Sequence, residues 1–170
     1  MNIMTFCNPV SVAPPKLWCI SLYKGTLTKL AFMQSKVGVL QLLGPEQHNL
    51  VPILGKRSGL ERDYSKRSEC KNLGYSWTQV EEQSNESLLK AFEDIDLLPG
   101  CSSYIFLWLC DEKVMDAGDH DVAICQVVGT GSWDDAKKKV IISGIDGSSE
   151  SPRDETTALY TGYLRKVGIL

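Results

Sequence analysis

The sequence predicts a mainly β protein with a few helices (α+β class), folded as an antiparallel β-barrel. Three segments carry this prediction: 17–23 and 120–128, which are apolar on both faces of an extended chain, and 103–110, a long hydrophobic run. Strands that are apolar on both faces must be covered on the outside by helices or by a partner subunit. The 170 residues suffice for one domain with a sizeable core, so we expect a single domain over 1–170.

The composition excludes several classes of partner. With 43% hydrophobic and 23% charged residues and a net charge of −3, the chain has no overall basic field for nucleic acid or anionic membranes. No apolar run reaches the roughly 18 residues of a membrane-spanning helix. Six cysteines form no CxxC pair and show no zinc-ligand spacing. We therefore expect no bound metal and an intracellular, reducing compartment, either the cytoplasm or an organelle.

The first half of the chain alternates extended and helical segments. Prolines in 2–15 exclude helix and predict an extended opening segment that leads into strand 17–23. A Lys24-Gly25 turn then precedes a helix over 26–34 and a strand over 37–43. Pro45 starts a helix that Pro52 should end or kink. We expect the charged segment 55–69 to be exposed and the acidic segment 77–96 to be weakly helical near 87–92.

The second half adds the remaining predicted strands. Strand 103–110 continues with more polar character to residue 116, turns at Gly118 and is followed by strand 120–128. One further strand is expected near 140–143. The segment 146–155 is rich in polar and acidic residues and is expected to be mobile. A helical stripe of Leu and Tyr predicts a final helix over 156–167.

The first candidate site is the turn between strand 17–23 and the next helix. Ser21 lies near the end of the strand, and Lys24, Gly25, Thr26 and Thr28 follow at the start of the helix. Free amides at a helix start, a flexible glycine, a lysine charge and hydroxyl groups suit a phosphate. The ordinary alternative is a threonine N-cap beside a surface lysine.

The second candidate site is the opening segment, residues 2–8. Held extended by prolines, it can place its backbone amides and carbonyls against a flat heteroaromatic ring. An ordinary barrel strand is the alternative.

The third candidate is His120, which lies between two aspartates at the entrance of a strand. A turn histidine that faces water is the alternative. A metal role would need further ligands, and the other histidine, His48, lies on a predicted helix without matching spacing. A serine hydrolase would need a G-x-S-x-G turn, which is absent. A hydrogen-bonding or proton-handling role beside a bound ligand remains.

Taken together, the order of these motifs resembles the flavin-reductase-like FMN-binding split-barrel family. Asn-x-Met-Thr opens the chain, Pro-Val-Ser and Pro-Pro follow, and Lys-Gly-Thr-Leu, Gly-Val-Leu-Gln-Leu-Leu and Ala-Gly-Asp-His-Asp-Val-Ala come in that order. A Leu-Tyr-x-x-Tyr-Leu-Arg segment at 159–165 is similar to an uncharacterised branch of the family. The resemblance covers nearly the whole chain, least clearly 57–87 and 131–154.

The resemblance implies a homodimeric split barrel with FMN at the subunit interface. It places the opening segment against the isoalloxazine ring and the turn after the next strand at the phosphate, with His120 near the flavin or the reduced nicotinamide. The residues so implied for the ring are Met4, Thr5, Phe6 and Cys7, and those for the phosphate are Lys24, Gly25, Thr26 and Thr28.

The leading hypothesis is therefore an FMN-binding oxidoreductase of the flavin-reductase type, which moves hydride between NAD(P)H and flavin. The flavin would carry the chemistry, and the protein would supply orientation and electrostatics. Two alternatives remain open. One is a non-enzymatic flavin-binding split-barrel dimer. The other is a barrel that binds another planar cofactor such as haem, with His120 as an axial ligand.

Overall fold

The structure is a computed structural model that describes residues 1–4, 6–80, 90–111, 114–143 and 161–169. Its elements in chain order are β1 (Cys7–Ser11), β2 (Leu17–Tyr23), α1 (Leu27–Ser35), β3 (Val37–Leu42), a 3₁₀ turn (Pro45–Gln47), α2 (Leu50–Lys56), α3 (Lys66–Asn72), β4 (Ser103–Leu109), β5 (Met115–Ala117), β6 (His120–Asp134), β7 (Lys139–Ser143) and α4 (Thr161–Lys166).

The seven strands form one antiparallel sheet in the order β1-β2-β6-β4-β3, and β5 and β7 also pair with β6. This confirms the predicted mainly β, antiparallel fold class. β1 and β3 end the sheet, and no ladder joins them among the described strands. Within the described part of the chain the sheet is therefore open along this edge.

A bulge in β6 divides the sheet into two packing regions. Phe106 pairs with Gly129 while Leu107 pairs with Val127, so Val128 is the extra residue on β6. Val128 joins the core under α2 and α3, whereas Val127 packs with the core under α1.

The core under α1 lies on one face of the sheet. Phe32 of α1 packs there with buried side chains of three central strands: Ile20, Leu22, Leu107, Leu109, Ala123 and Cys125. α1 contacts both β2 and β3, which are separated by two strands, and so spans this side of the sheet. A Cβ on Gly38 would lie 3.1 Å from the Phe32 ring, so the helix approaches β3 closely because that position is glycine.

The opposite face carries the second core, but only over part of its area. Leu50 and Leu54 of α2 and Cys70 of α3 pack there against Tyr104 and Phe106 of β4. This region positions the opening segment, because Ile3 and Met1 pack against its edge.

The remaining part of that face is left bare by the described helices. The β2–β6 and β4–β6 registers place Tyr23, His120, Val122, Ile124 and Trp108 on it. Ile124 is 40% exposed, Trp108 39% and Tyr23 50%. We call this area, defined by these five residues, the bare sheet face.

Most predicted elements are found, with five differences. Strand 17–23 and helix 26–34 are confirmed as β2 and α1. Pro45 starts only a 3₁₀ turn. Pro52 does not break a helix, because Pro52 lies in the first turn of the separate helix α2, where the backbone amide has no partner within the helix. Residues 115–117 do not extend β4 but return as β5, and β6 runs beyond 128 to Asp134.

The segment 55–69, predicted to be exposed, contains the start of α3 and the buried Lys66, which contradicts that expectation for this residue. The strand predicted near 140–143 is confirmed as β7, and α4 lies within the predicted final helix. The predicted mobile segment 146–155 and residues 87–89 of the weak helix predicted near 87–92 lie outside the described residues.

Candidate functional site

A shallow cleft of about 60 Å³ lies where the opening segment, the end of β2, the start of α1 and the start of β6 meet. The described residues that line it are polar, aromatic and aliphatic in mixture: Asn2, Ile3, Met4, Phe6, Ser21, Leu22, Tyr23, Thr26, Thr28 and His120. None of them is Lys or Arg.

Two backbone hydrogen bonds bring these elements together. The Ser21 amide donates to the Phe6 carbonyl at 3.0 Å and so carries the β1–β2 pairing back into the opening segment. The Lys24 amide donates to the Asp119 carbonyl at 3.0 Å, which ties the turn after β2 to the β5–β6 hairpin. In the β2–β6 ladder, Tyr23 pairs directly with His120.

Three aromatic rings cluster in the cleft. The His120 ring meets the Tyr23 ring at 5.3 Å and 68° and the Phe6 ring at 6.0 Å and 89°, both edge to face. Phe6 is nevertheless 64% exposed. Such edge-to-face packing leaves apolar ring surface available to a planar ligand.

Asp119 orients His120. The His120 Nδ1 lies 2.7 Å from Asp119 Oδ1. An ionised carboxylate only accepts hydrogen bonds, so Nδ1 carries the proton, and Nε2 is the acceptor of the neutral ring. The hydrogen bond from His120 holds the pKa of the Asp119 carboxyl below its usual range. The pair therefore fixes one tautomer of a half-buried histidine at the cleft.

Thr26 is the N-cap of α1. Its Oγ1 accepts a hydrogen bond from the Lys29 amide at 3.3 Å and donates to the Tyr23 carbonyl at 2.9 Å. The first turn of α1 contains no acidic residue. A Cβ on Gly25 would meet only the Tyr23 ring, at 3.5 Å, so the backbone can be approached there. The N-cap alternative is thus correct, and the turn keeps the features that suit an anion.

Lys24 is already paired within the chain. Its Nζ lies 2.6 Å from Asp116 Oδ2 and 3.7 Å from Asp121 Oδ1, and Lys29 forms a further ion pair with the buried Asp121. The hydrogen bond with Asp116 raises the pKa of the Lys24 ammonium, and the hydrogen bond from Lys24 lowers the pKa of the Asp116 carboxyl. These pairs join α1 to the hairpin that carries His120.

The structure brings most of the predicted site residues into one cleft. Those that line it are Met4, Phe6, Ser21, Thr26, Thr28 and His120. Lys24 and Gly25 do not line it, Cys7 packs instead against the core under α1, and Thr5 lies outside the described residues. Sequence reasoning did not assign Leu22 and Tyr23, and it placed Asn2 and Ile3 in the candidate opening segment without giving them a ring contact. Tyr23 had a detectable signal, since it follows Ser21 by two positions on the same strand face.

The described residues hold no cluster of three or more His, Cys, Asp or Glu side chains that could bind a metal ion. Over the same residues, none of the helices has the length and apolar character needed to cross a bilayer.

Solved structures similar to this chain include flavin enzymes and FMN-binding proteins. An NADH:FAD oxidoreductase from Streptomyces globisporus matches 81% of this chain and 69% of its own at 13% identity, with a TM-score of 0.54. An FMN-binding protein from Thermus thermophilus, with p-hydroxybenzaldehyde bound, matches 78% and 62% at 20% identity, with a TM-score of 0.54.

An FMN-binding domain of a flavin reductase-like enzyme from Shewanella baltica matches 75% of this chain and 58% of its own at 22% identity, with a TM-score of 0.52. The chain has the fold of the flavin-reductase-like FMN-binding split barrels. It spans 58–69% of the length of these three structures. No protein-family model and no curated protein sequence matches it.

Proposed function

We propose that the chain binds FMN in this cleft and acts as an oxidoreductase of the flavin-reductase type, with NAD(P)H as co-substrate. The observation that carries the proposal is the cluster of Phe6, Tyr23 and His120 at the cleft, on a fold that flavin proteins share. Aromatic edges, apolar side chains and hydroxyl groups together match a planar heteroaromatic ring with polar atoms on its rim.

In this proposal the opening segment and β2 hold the isoalloxazine ring. Phe6 and Tyr23 supply apolar contact, Met4 supplies a further cleft side chain, and Thr5 and Cys7 would contribute through the backbone of the same segment. Ser21 offers a hydroxyl on the same strand face as Tyr23.

The phosphate would bind at the start of α1, where Gly25, Thr26 and Thr28 would offer backbone amides and Thr28 a hydroxyl, while the Thr26 hydroxyl caps the helix. Lys24 lies in the same turn and would supply the charge. Its bridge to Asp116 is solvent-exposed, with 77% of the Asp116 side chain accessible. Exposed bridges of this kind are weak, so a phosphate dianion can compete with Asp116 for the ammonium.

A bound flavin supplies the hydride chemistry. The chain's own contribution is to orient the ring, to exclude water and to present Nε2 of His120, held in one tautomer by Asp119, as a hydrogen-bonding group beside the reacting atoms.

A second copy of the chain would complete the site. Ligand pockets enclose about 300–1,000 Å³, whereas this cleft measures about 60 Å³. One chain therefore walls only part of a flavin site. The bare sheet face adjoins the cleft, because Tyr23 and His120 belong to both, so a homodimer formed through this face would bury the ligand at the interface.

The test is a titration of the purified protein with FMN, followed by assays of NADH and NADPH oxidation. We expect the flavin fluorescence to be quenched on binding and the oxidation rate to exceed that of the same FMN concentration without protein. A protein that binds no FMN would contradict the proposal.

A flavin-binding dimer without turnover is the second candidate. It is favoured by the absence of Lys and Arg among the described cleft residues, since these side chains recognise the phosphates of a nicotinamide dinucleotide. In that case FMN would bind, and neither NADH nor NADPH would be oxidised above the free-flavin rate.

A further inference from the structure

Lys66, at the start of α3, is a buried cation held by uncharged oxygen atoms. It is 8% exposed. Its Nζ donates to the Leu54 carbonyl at 2.6 Å and to the Met1 carbonyl and Asn2 Oδ1 at 3.4 Å each. No carboxylate of the described residues lies within 4.0 Å of it. A buried ammonium is tolerated only when its donors are satisfied, so these three acceptors account for its position.

The same region seats the opening segment on α2. A Cβ on Gly55 of α2 would lie 3.3 Å from Ile3 Cγ1, so the segment approaches the helix at van der Waals distance. Ile3 also packs against the core under α2 and α3. Lys66 and Gly55 therefore hold a segment whose residues Asn2, Ile3 and Met4 form one wall of the cleft.

Lys66 also determines which way the Asn2 amide points. An ammonium only donates hydrogen bonds, so the group of Asn2 that faces Lys66 is the oxygen and not the NH₂. The remaining polar group of the side chain is Nδ2, with two N–H donors and no acceptor among the residues that the structure describes. Asn2 lines the cleft.

We propose that Asn2 is a ligand-binding residue that donates from Nδ2 to an acceptor on the rim of a planar heteroaromatic ligand, and that Lys66 is the positioning residue that fixes this orientation. The acceptor is a carbonyl oxygen or a ring nitrogen. The inference rests on the proposed function, because the pyrimidine edge of isoalloxazine carries both kinds of acceptor.

Asn2→Asp tests the ligand contact. The aspartate keeps the shape and the oxygen that Lys66 needs, but it removes both donors and places a second oxygen against the ligand's acceptor. We expect the Kd of riboflavin and the Kd of FMN to rise by the same factor, about tenfold or more, since the two ligands share the ring. The melting temperature should not fall. Asn49→Asp is the matched control, because Asn49 is exposed and makes no side-chain capping bond.

Lys66→Met tests the positioning role. Without the ammonium the Asn2 amide can rotate, so both flavins should bind about two- to fivefold more weakly. Adding Asn2→Asp in that background should cost less than it does alone. Hydrogen exchange of the Ser21 amide, which donates to the Phe6 carbonyl of the opening segment, should speed up without ligand, a readout independent of flavin. Lys71→Met, at an exposed position of the same helix, is the control.

Each result decides a different claim. If wild type binds flavin and Asn2→Asp binds it equally well, the assignment of Asn2 is wrong and the proposed function stands. If the effects of Lys66→Met and Asn2→Asp simply add, Lys66 does not act through Asn2. If wild type binds neither flavin, the proposed function and the inference both fail. Asn2→Asp decides the ligand contact even if Lys66→Met does not fold.

Discussion

The bare sheet face offers a direct test of the proposed dimer, through Ile124→Asp. Ile124 is 40% exposed. Complete burial of an isoleucine side chain contributes about 1.5–3 kcal/mol, so covering the exposed 40% would contribute about 1 kcal/mol. In a twofold-symmetric dimer the substitution removes this contribution from both subunits, which amounts to about 2 kcal/mol. The dimer Kd should therefore rise roughly 30-fold. Burial of two carboxylates would raise it further.

Sedimentation equilibrium over a range of protein concentrations measures this Kd. Leu73→Asp is the matched control, because Leu73 is 43% exposed but follows α3 and is not part of the bare sheet face. We expect Ile124→Asp to dissociate, Leu73→Asp to remain dimeric, and FMN affinity to fall with the loss of the dimer. A wild-type monomer that binds FMN tightly, or an Ile124→Asp dimer with the wild-type Kd, would refute this reasoning.

Three further predictions concern charged and titratable groups. Lys24→Ala should weaken the binding of FMN more than that of riboflavin, because only FMN carries the phosphate. Asp116→Asn should strengthen FMN binding about two- to fivefold, because it releases Lys24. Equal changes for both ligands in titrations would exclude this phosphate site. His120→Ala should lower NAD(P)H-dependent turnover and leave the Kd of FMN nearly unchanged. Unchanged turnover in steady-state assays would show that His120 has only a structural role. Burial lowers the pKa of Lys66, so above this pKa and below the ordinary lysine value the unfolded chain binds more protons than the folded one. The unfolding free energy of wild type relative to Lys66→Met, measured with urea, should therefore rise with pH in that window, and a constant or falling difference would contradict the burial of the charge.

The elements predicted well are those with strong local signals. β2 is a seven-residue β-prone run, and α1 begins at a threonine that caps it. The cleft could be anticipated because the turn after β2 and the histidine at the start of β6 meet through one strand ladder.

The elements missed depend on distant parts of the chain. The segment after residue 128 contains glycines typical of a loop, yet Gly131 belongs to β6. A Cβ there would lie 2.9 Å from Val140 Cγ1 and 3.0 Å from the Ile141 carbonyl, so the close approach of β7 requires glycine. Lys66 lies in a charged segment, and only tertiary contacts with Leu54 and Asn2 bury it. The pair Lys24–Asp116 joins residues 92 positions apart, which no local pattern shows.

The absorption spectrum of the freshly purified protein tests the central claim most directly. The measurement is repeated after FMN is added and free flavin is removed by gel filtration. We predict flavin absorption bands that elute with the protein, at about one FMN per chain in the reconstituted sample. A protein that is colourless at both stages would contradict flavin binding at this cleft.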